Sequence, residues 1–348
     1  MKRNTLTLII ALALGGITFW LIRMNSSSSI KKELRDFAVS DTASITKIFL
    51  ADKTMHQVTL TREKDGWKVD GKFDARPDAI EGLLGVIHDL SVREPVSIKS
   101  RPFVIKQLAT GAVKCEIYNG SDLVKVYYVG GDTPDDLGTY MLLADPETGE
   151  NSSEPFIMEK RGHNGYLTPY YSSNVIEWRD RSVFKYYAPD IRSIEVTNPR
   201  MPQTSFSVHQ SANGVFGLNS STGQPLPFDT LMVKQFISYF GHISFEAFEK
   251  QLTPAQRDSV VHSTPAHIIT VTDAADHKNV VKLFLKKNPN ADSTTVTDPS
   301  QLYDPDRMYA TVNNGQDFVV VQYYVFGKLL PVTDYFLGQK VKEQNVVK

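Results

Sequence analysis

Two distant stretches of this chain carry the same apolar spacing. The first places Ile80, Leu83, Leu84, Ile87 and Leu90, the second Val233, Phe236, Ile237, Phe240 and Ile243. Both follow i, i+3, i+4, i+7, i+10, which lines one face of an α-helix. Arg76-Pro77-Asp78 precedes the first run and Pro225-Leu226-Pro227-Phe228-Asp229 the second, and Pro and Asp are favoured at helix starts. A helix with one apolar face needs something to bury it against.

The flanking sequence offers strands, in the same order both times. Ahead of the first helix stand Ile45 to Leu50, then Val58 to Arg62, then Asp65-Gly66 and Trp67-Lys68-Val69. Ahead of the second stand Ile191 to Val196, then Phe206 to His209, then Asn213-Gly214 and Val215 to Leu218. Alternating residues joined by an Xaa-Gly turn predict a hairpin. A shorter helix opened by proline follows each run, at Pro102 to Leu108 and Pro254 to His262. Four strands close each half. In the first they are Val113–Tyr118, Val124–Val129, Tyr140–Leu143 and Phe156–Glu159. In the second they are His267–Thr272, Val280–Leu285, Tyr309–Val312 and Phe318–Gln322. The expected fold is α+β: two tandem, divergent ββααββββ modules with antiparallel-rich sheets.

The N-terminus has a different grammar. After Met1-Lys2-Arg3, residues 5–22 form an 18-residue run without a charge, closed by Arg23. As a helix this run spans about 27 Å, enough for a bilayer core. Ala11-Leu12-Ala13 has the spacing of a cleavage site but lies inside the apolar run, and Phe19 to Ile22 is bulky, so an uncleaved single-pass signal anchor is expected. Basic residues are nearly balanced across it. A short basic tail before a first apolar segment stays cytoplasmic, which places the rest of the chain outside, on the periplasmic side of the inner membrane. The expected organisation is an anchor and tether at 1–29, a first module at 30–165, an aromatic connector at 166–187 and a second module at 188–340.

Several of these segments resemble one family. Ile45-Thr46-Lys47-Ile48, Asp65 to Val69, the Pro-Asp-opened helix, and Trp178-Arg179-Asp180-Arg181-Ser182-Val183-Phe184 before Asp190-Ile191 are similar to an envelope-anchored bacterial family catalogued only as a domain of unknown function. Some members resemble accessory proteins of gliding-type ABC export systems. The resemblance spans most of residues 1–340. It implies one membrane segment, β-rich repeats and an ectodomain outside the cytoplasm, and it implies no catalytic residues.

Chemistry is hard to find in the sequence. Lys and Arg number 38 against 39 Asp and Glu, which excludes a nucleic-acid binder driven by bulk charge. The single cysteine, Cys115, excludes a disulfide framework and a thiolate zinc site, and its place between Val113 and Ile117 in an alternating strand predicts a buried small side chain. Phosphate-binding glycine loops, G-x-S-x-G, H-E-x-x-H and C-x-x-C are absent. His262 and His267 are the closest of eight histidines, and Pro265 keeps them off one helix face. The loop from Asn288 opens like a calcium loop but has Ser293 and Pro299 where Gly and Glu belong. No cofactor or metal is expected.

The connector is the remaining candidate. Residues 166–187 hold seven aromatics around Arg179-Asp180-Arg181, and Tyr, Trp and Arg dominate binding hot spots. Tyr170, Tyr171, Trp178, Arg179 and Arg181 are the candidate interaction residues, with Trp178 read as core and the other four as exposed. The expected function is a non-enzymatic, membrane-anchored docking or accessory subunit with a protein partner in the envelope and no nucleic acid. A glycan- or lipid-binding module is the alternative, and a hydrolase with an unmotifed site is a weaker one.

Overall fold

The structure is a computed structural model that describes residues 36–211, 213–291 and 298–338. The expected anchor and tether at 1–29 lie outside the described residues. Among the described residues no helix is long and apolar enough to cross a membrane. The chain divides into two units, Met1–Asp180 and Arg181–Lys348, so Tyr166 to Asp180 belong to the first and Arg181 to Tyr187 to the second. Both are mixed α+β, rich in antiparallel strands and poor in helix.

In the first unit the chain runs β1 (Lys47–Ala51), β2 (Gln57–Glu63), β3 (Gly66–Val69), β4 (Phe73–Asp74), α1 (Pro77–Asp89), β5 (Leu90–Pro95), α2 (Arg101–Gly111), β6 (Val113–Asn119), β7 (Asp122–Asp132), β8 (Thr139–Ala144) and β9 (Phe156–Lys160), then the single turn α3 (Val175–Trp178). The sheet order is β4-β3-β2-β1-β6-β7-β8-β9-β5. The second unit runs β10 (Ser182–Phe184), β11 (Ile191–Thr197), β12 (Phe206–Gln210), β13 (Phe216–Ser220), α4 (Thr230–Ser238), β14 (Ile243–Ser244), β15 (Ala247–Phe248), α5 (Pro254–Val261), β16 (His267–Asp273), β17 (Lys278–Lys287), β18 (Tyr303–Val312), β19 (Asp317–Gln322) and α6 (Tyr323–Phe326). Its main sheet reads β13-β12-β11-β16-β17-β18-β19-β15. Strand for strand this is the first order without its terminal β4.

The ββααββββ formula needs correction. A third strand precedes each first helix, and further strands separate the two helices. Leu90 and Ile243, the last members of the two helical stripes, are in fact the first residues of β5 and β14. No glycine or proline stands between Asp89 and Leu90, so nothing in the spacing announces the change from helix to strand. β5 then pairs antiparallel with β9, and β15 with β19.

Each first helix covers one face of its sheet. α1 buries Ile80, Leu83, Val86 and Ile87 over Ile48, Leu50, Ile117, Tyr127 and Val129. α4 buries Val233, Phe236 and Ile237 over Ile194, Val196, Val271, Val281 and Leu283. The Asp229 carboxylate accepts the Leu231 N–H at 2.7 Å and so caps α4, satisfying one of the free donors at a helix start. The segment leading into each unit is pinned the same way: Val39 N–H donates to Ile87 O, and Tyr186 N–H to Phe240 O.

The second helices lie on the opposite faces. α2 buries Val104 and Leu108 against Leu142, Tyr128, Tyr140 and Ile157. α5 has a complete capping box between Thr253 and Gln256, yet none of its residues is fully buried. Below it Phe284, Tyr309 and Phe318 form their own small cluster.

Candidate functional site

The five connector residues do not form one surface. None of the four residues read as exposed is so: Tyr170, Arg179 and Arg181 are half-buried, and Tyr171 is fully buried. Its short helical turn (Thr168–Tyr171) aims it at the sheet, where its ring meets Tyr127 edge-on at 5.9 Å and the two hydroxyls are 3.1 Å apart. Burial pushes both phenols up, and it pushes the buried Cys115 thiol beside them up to about 12. Trp178 is core as read, with its Nε1–H donated to Ser172 O at 2.7 Å. The Arg179 guanidinium lies 3.7 Å from the centroid of the Phe73 ring. Arg181 donates to Glu246 O at 3.0 Å. Tyr170 is half-buried and lines a hollow of about 260 Å³ with Arg76, Asp78, Glu177 and Trp178. The exposed aromatics of this stretch are Tyr166 and Tyr187, the latter 72% exposed.

Asp52 ties the connector down. Its carboxylate accepts Ser173 Oγ–H at 2.8 Å and the Thr54 and His56 N–H groups. Burial raises its pKa, but these hydrogen bonds outweigh that and hold it far below the usual carboxylate range.

The larger openings are in the second unit. A cleft of about 800 Å³ lies at one corner, lined by Ala188, Pro189, Ile191, Phe216, Ile237 and Ala274, with Gln210, Arg192 and Lys234 also on its wall. The first unit has larger side chains at the equivalent pair. Arg62 faces Trp67 across β2–β3, as Gln210 faces Phe216 across β12–β13. The Arg62 guanidinium lies 4.9 Å from the centroid of the Trp67 ring and donates to Ile45 O and Thr42 O, both at 2.8 Å. Gln210 makes the same kind of bond, to Ala188 O at 3.2 Å and Pro189 O at 3.0 Å, with a shorter side chain. A shorter amide and a smaller ring leave the corner open.

A second cavity, of about 570 Å³, lies under α5 and involves Leu252, Val260, Leu285, Tyr303, Arg200 and Lys287. An adjoining hollow of about 470 Å³ shares Leu285 and Tyr303 and continues past Ser300, Pro305 and Tyr323. Asp304 in that hollow is bound to Lys286 at 2.8 Å. Among the described residues no group of three or more His, Cys, Asp or Glu is placed to hold a metal ion.

Neither a protein-family model, nor a curated protein, nor a solved structure matches this chain. Sequence reasoning missed both openings of the second unit. Comparing the halves position by position, Trp67 with Phe216 and Arg62 with Gln210, carries the signal that finds the first.

Proposed function

We propose that this protein is a non-enzymatic docking or accessory subunit, held in a bacterial envelope by its N-terminal apolar run with both units on the periplasmic side. In this reading the two units are divergent copies of one module. The observation that carries the reading is the corner cleft of the second unit. It joins an apolar floor to a polar rim that carries the basic Arg192 and Lys234, with the exposed Tyr187 immediately before its lining residue Ala188. An apolar centre with a polar rim and a projecting tyrosine is the anatomy of a protein-recognition site. The basic start, the 18-residue uncharged run and the family resemblance support the anchoring and the orientation.

The test is crosslinking of the full-length protein in intact membranes, beside the variant Gln210→Arg/Phe216→Trp, which rebuilds the Arg62–Trp67 pair in the second unit. The expected result is recovery of an integral-membrane partner by the parent and at least about tenfold less by the variant. Protease added from outside should digest both units. Recovery of the chain alone, or equal recovery by the variant, overturns docking at this cleft, and protection from protease overturns the orientation. A glycan- or lipid-binding role is the second reading, favoured by the donor-lined cavity under α5.

A further inference from the structure

We propose that the cavity beneath α5 binds an anionic saccharide; this deepens the ligand-binding reading and does not depend on docking at the corner cleft. The cavity has an identifiable origin. Val113, the first residue of β6, pairs with Val129, and His267, the first of β16, pairs with Leu283. The next residues, Gly130 and Phe284, therefore hold equivalent positions on the second face of each sheet. A Cβ on Gly130 would meet Leu108 Cδ2 at 2.6 Å and Tyr140 O at 3.0 Å, so α2 rides directly on bare backbone. Phe284 puts a buried ring at that level, α5 meets it only through the half-buried Val260 and Val261, and about 570 Å³ stays open beside them. That is within the range of roughly 300–1,000 Å³ typical of ligand sites.

The lining selects the ligand. Arg200, Lys287, Gln256, Ser259 and the Tyr303 hydroxyl supply hydrogen-bond donors, and no carboxylate lines the cavity. Gln256 spends its Oε1 on the Thr253 cap at 2.9 Å and 3.0 Å, which leaves its NH₂ group to donate. Two acids lie near the lining Tyr309: Asp304 is paired with Lys286, and Glu249 accepts the Gln251 and Leu252 N–H groups. A site rich in donors and cations with no acid lining takes an oxyanion. Its lining includes the rings of Tyr303 and Tyr309 beside Gln256, Ser259 and Ser263, which suits the C–H faces and hydroxyls of a sugar better than an acyl chain. The adjoining hollow, reached past Leu285 and Tyr303, gives a second ring somewhere to go.

The test is calorimetric titration of full-length protein, held in zwitterionic lipid discs, with digalacturonate and with uncharged digalactose. Digalacturonate should bind, and digalactose at least about tenfold more weakly. Arg200→Glu and Lys287→Glu should each weaken binding about tenfold, the scale of one charge-assisted hydrogen bond. Ser259→Trp, from an exposed position on α5, should fill the cavity and abolish binding while the thermal transition is kept. Absence of digalacturonate binding, equal binding of the two sugars, binding untouched by all three variants, or binding only to phosphatidylglycerol discs would each overturn the proposal. Partner recovery by the Ser259→Trp variant reads the docking proposal separately, because that residue is not on the corner cleft.

Discussion

The sheet formed by residues 47–160 and the sheet formed by residues 191–322 order their equivalent strands identically, yet they are filled differently. In the first unit α1 contributes only aliphatic side chains, Ile80, Leu83, Val86 and Ile87, and the rings of that core, Phe37, Tyr127, Phe156 and Tyr171, come from other segments. Below α4 the second is built on rings: Phe236 meets Phe206, Phe240 and Phe336 at 5.2–5.7 Å, all edge-on. On the opposite faces α2 buries Val104 and Leu108, whereas α5 packs only the half-buried Val260 and Val261 on Phe284, Tyr309 and Phe318. One backbone plan thus tolerates two interiors. The second unit also carries openings at its corner and under its second helix.

The sharpest way to break this comparison is at the paired positions Leu83 and Phe236, both i+3 in their helices and both fully buried. Phe236→Ala removes one ring contact from each of Phe206, Phe240 and Phe336 and should cost about 4 kcal/mol; Leu83→Ala should cost about 3 kcal/mol. Calorimetry of the full chain reads both, and each variant also marks which transition belongs to which unit. A larger loss for Leu83→Ala would mean that the ring cluster adds nothing beyond its area.

Next in size is the seating of α2. Gly130→Ala should cost about 1–2 kcal/mol in the parent, since the new methyl runs into Leu108 and the Tyr140 carbonyl. In a Leu108→Ala background the same change should cost less than half as much, because half the obstruction is gone. Equal cost in the two backgrounds would show that the helix is not held by this approach, and with it the explanation of the opening under α5 would fail.

Much of this plan was legible before any coordinates, and the illegible parts have particular causes. The stripes at Ile80 and Val233 and the hairpins at Asp65-Gly66 and Asn213-Gly214 are local patterns, and the structure places α1, α4, β2–β3 and β12–β13 there. β5 was hidden because it continues α1 without a breaker, and its partner β9 lies far along the chain. Tyr171 was misread for a related reason: composition marks an aromatic stretch as interactive, whereas only the fold brings Tyr127 within hydrogen-bond distance. The openings of the second unit are differences between the two units. They follow from Phe284 standing where the first unit has Gly130, and from Gln210 and Phe216 standing for Arg62 and Trp67.

The smallest effect separates the units by acid. His267 is largely buried, with its Nδ1 2.6 Å from Asn198 Oδ1. Burial lowers its pKa and the Arg200 charge lowers it further. The folded second unit therefore takes this proton less readily than the unfolded chain, so its contribution is full above the unfolded value near ~6.5 and is lost as pH falls below it. Asp52 in the first unit is depressed by the hydrogen bonds from Ser173, Thr54 and His56. Its contribution is full above ~3.9 and is lost only as pH falls from there toward the folded value. Between pH 7 and 5.5 the second transition should move down by a few degrees, about 1 kcal/mol or less, while the first stays in place until the pH drops below about 4. His267→Gln should flatten the earlier loss and Asp52→Asn the later one. If both transitions fall together over the upper range, the acid response belongs to the chain as a whole, and the two copies have not diverged in this respect.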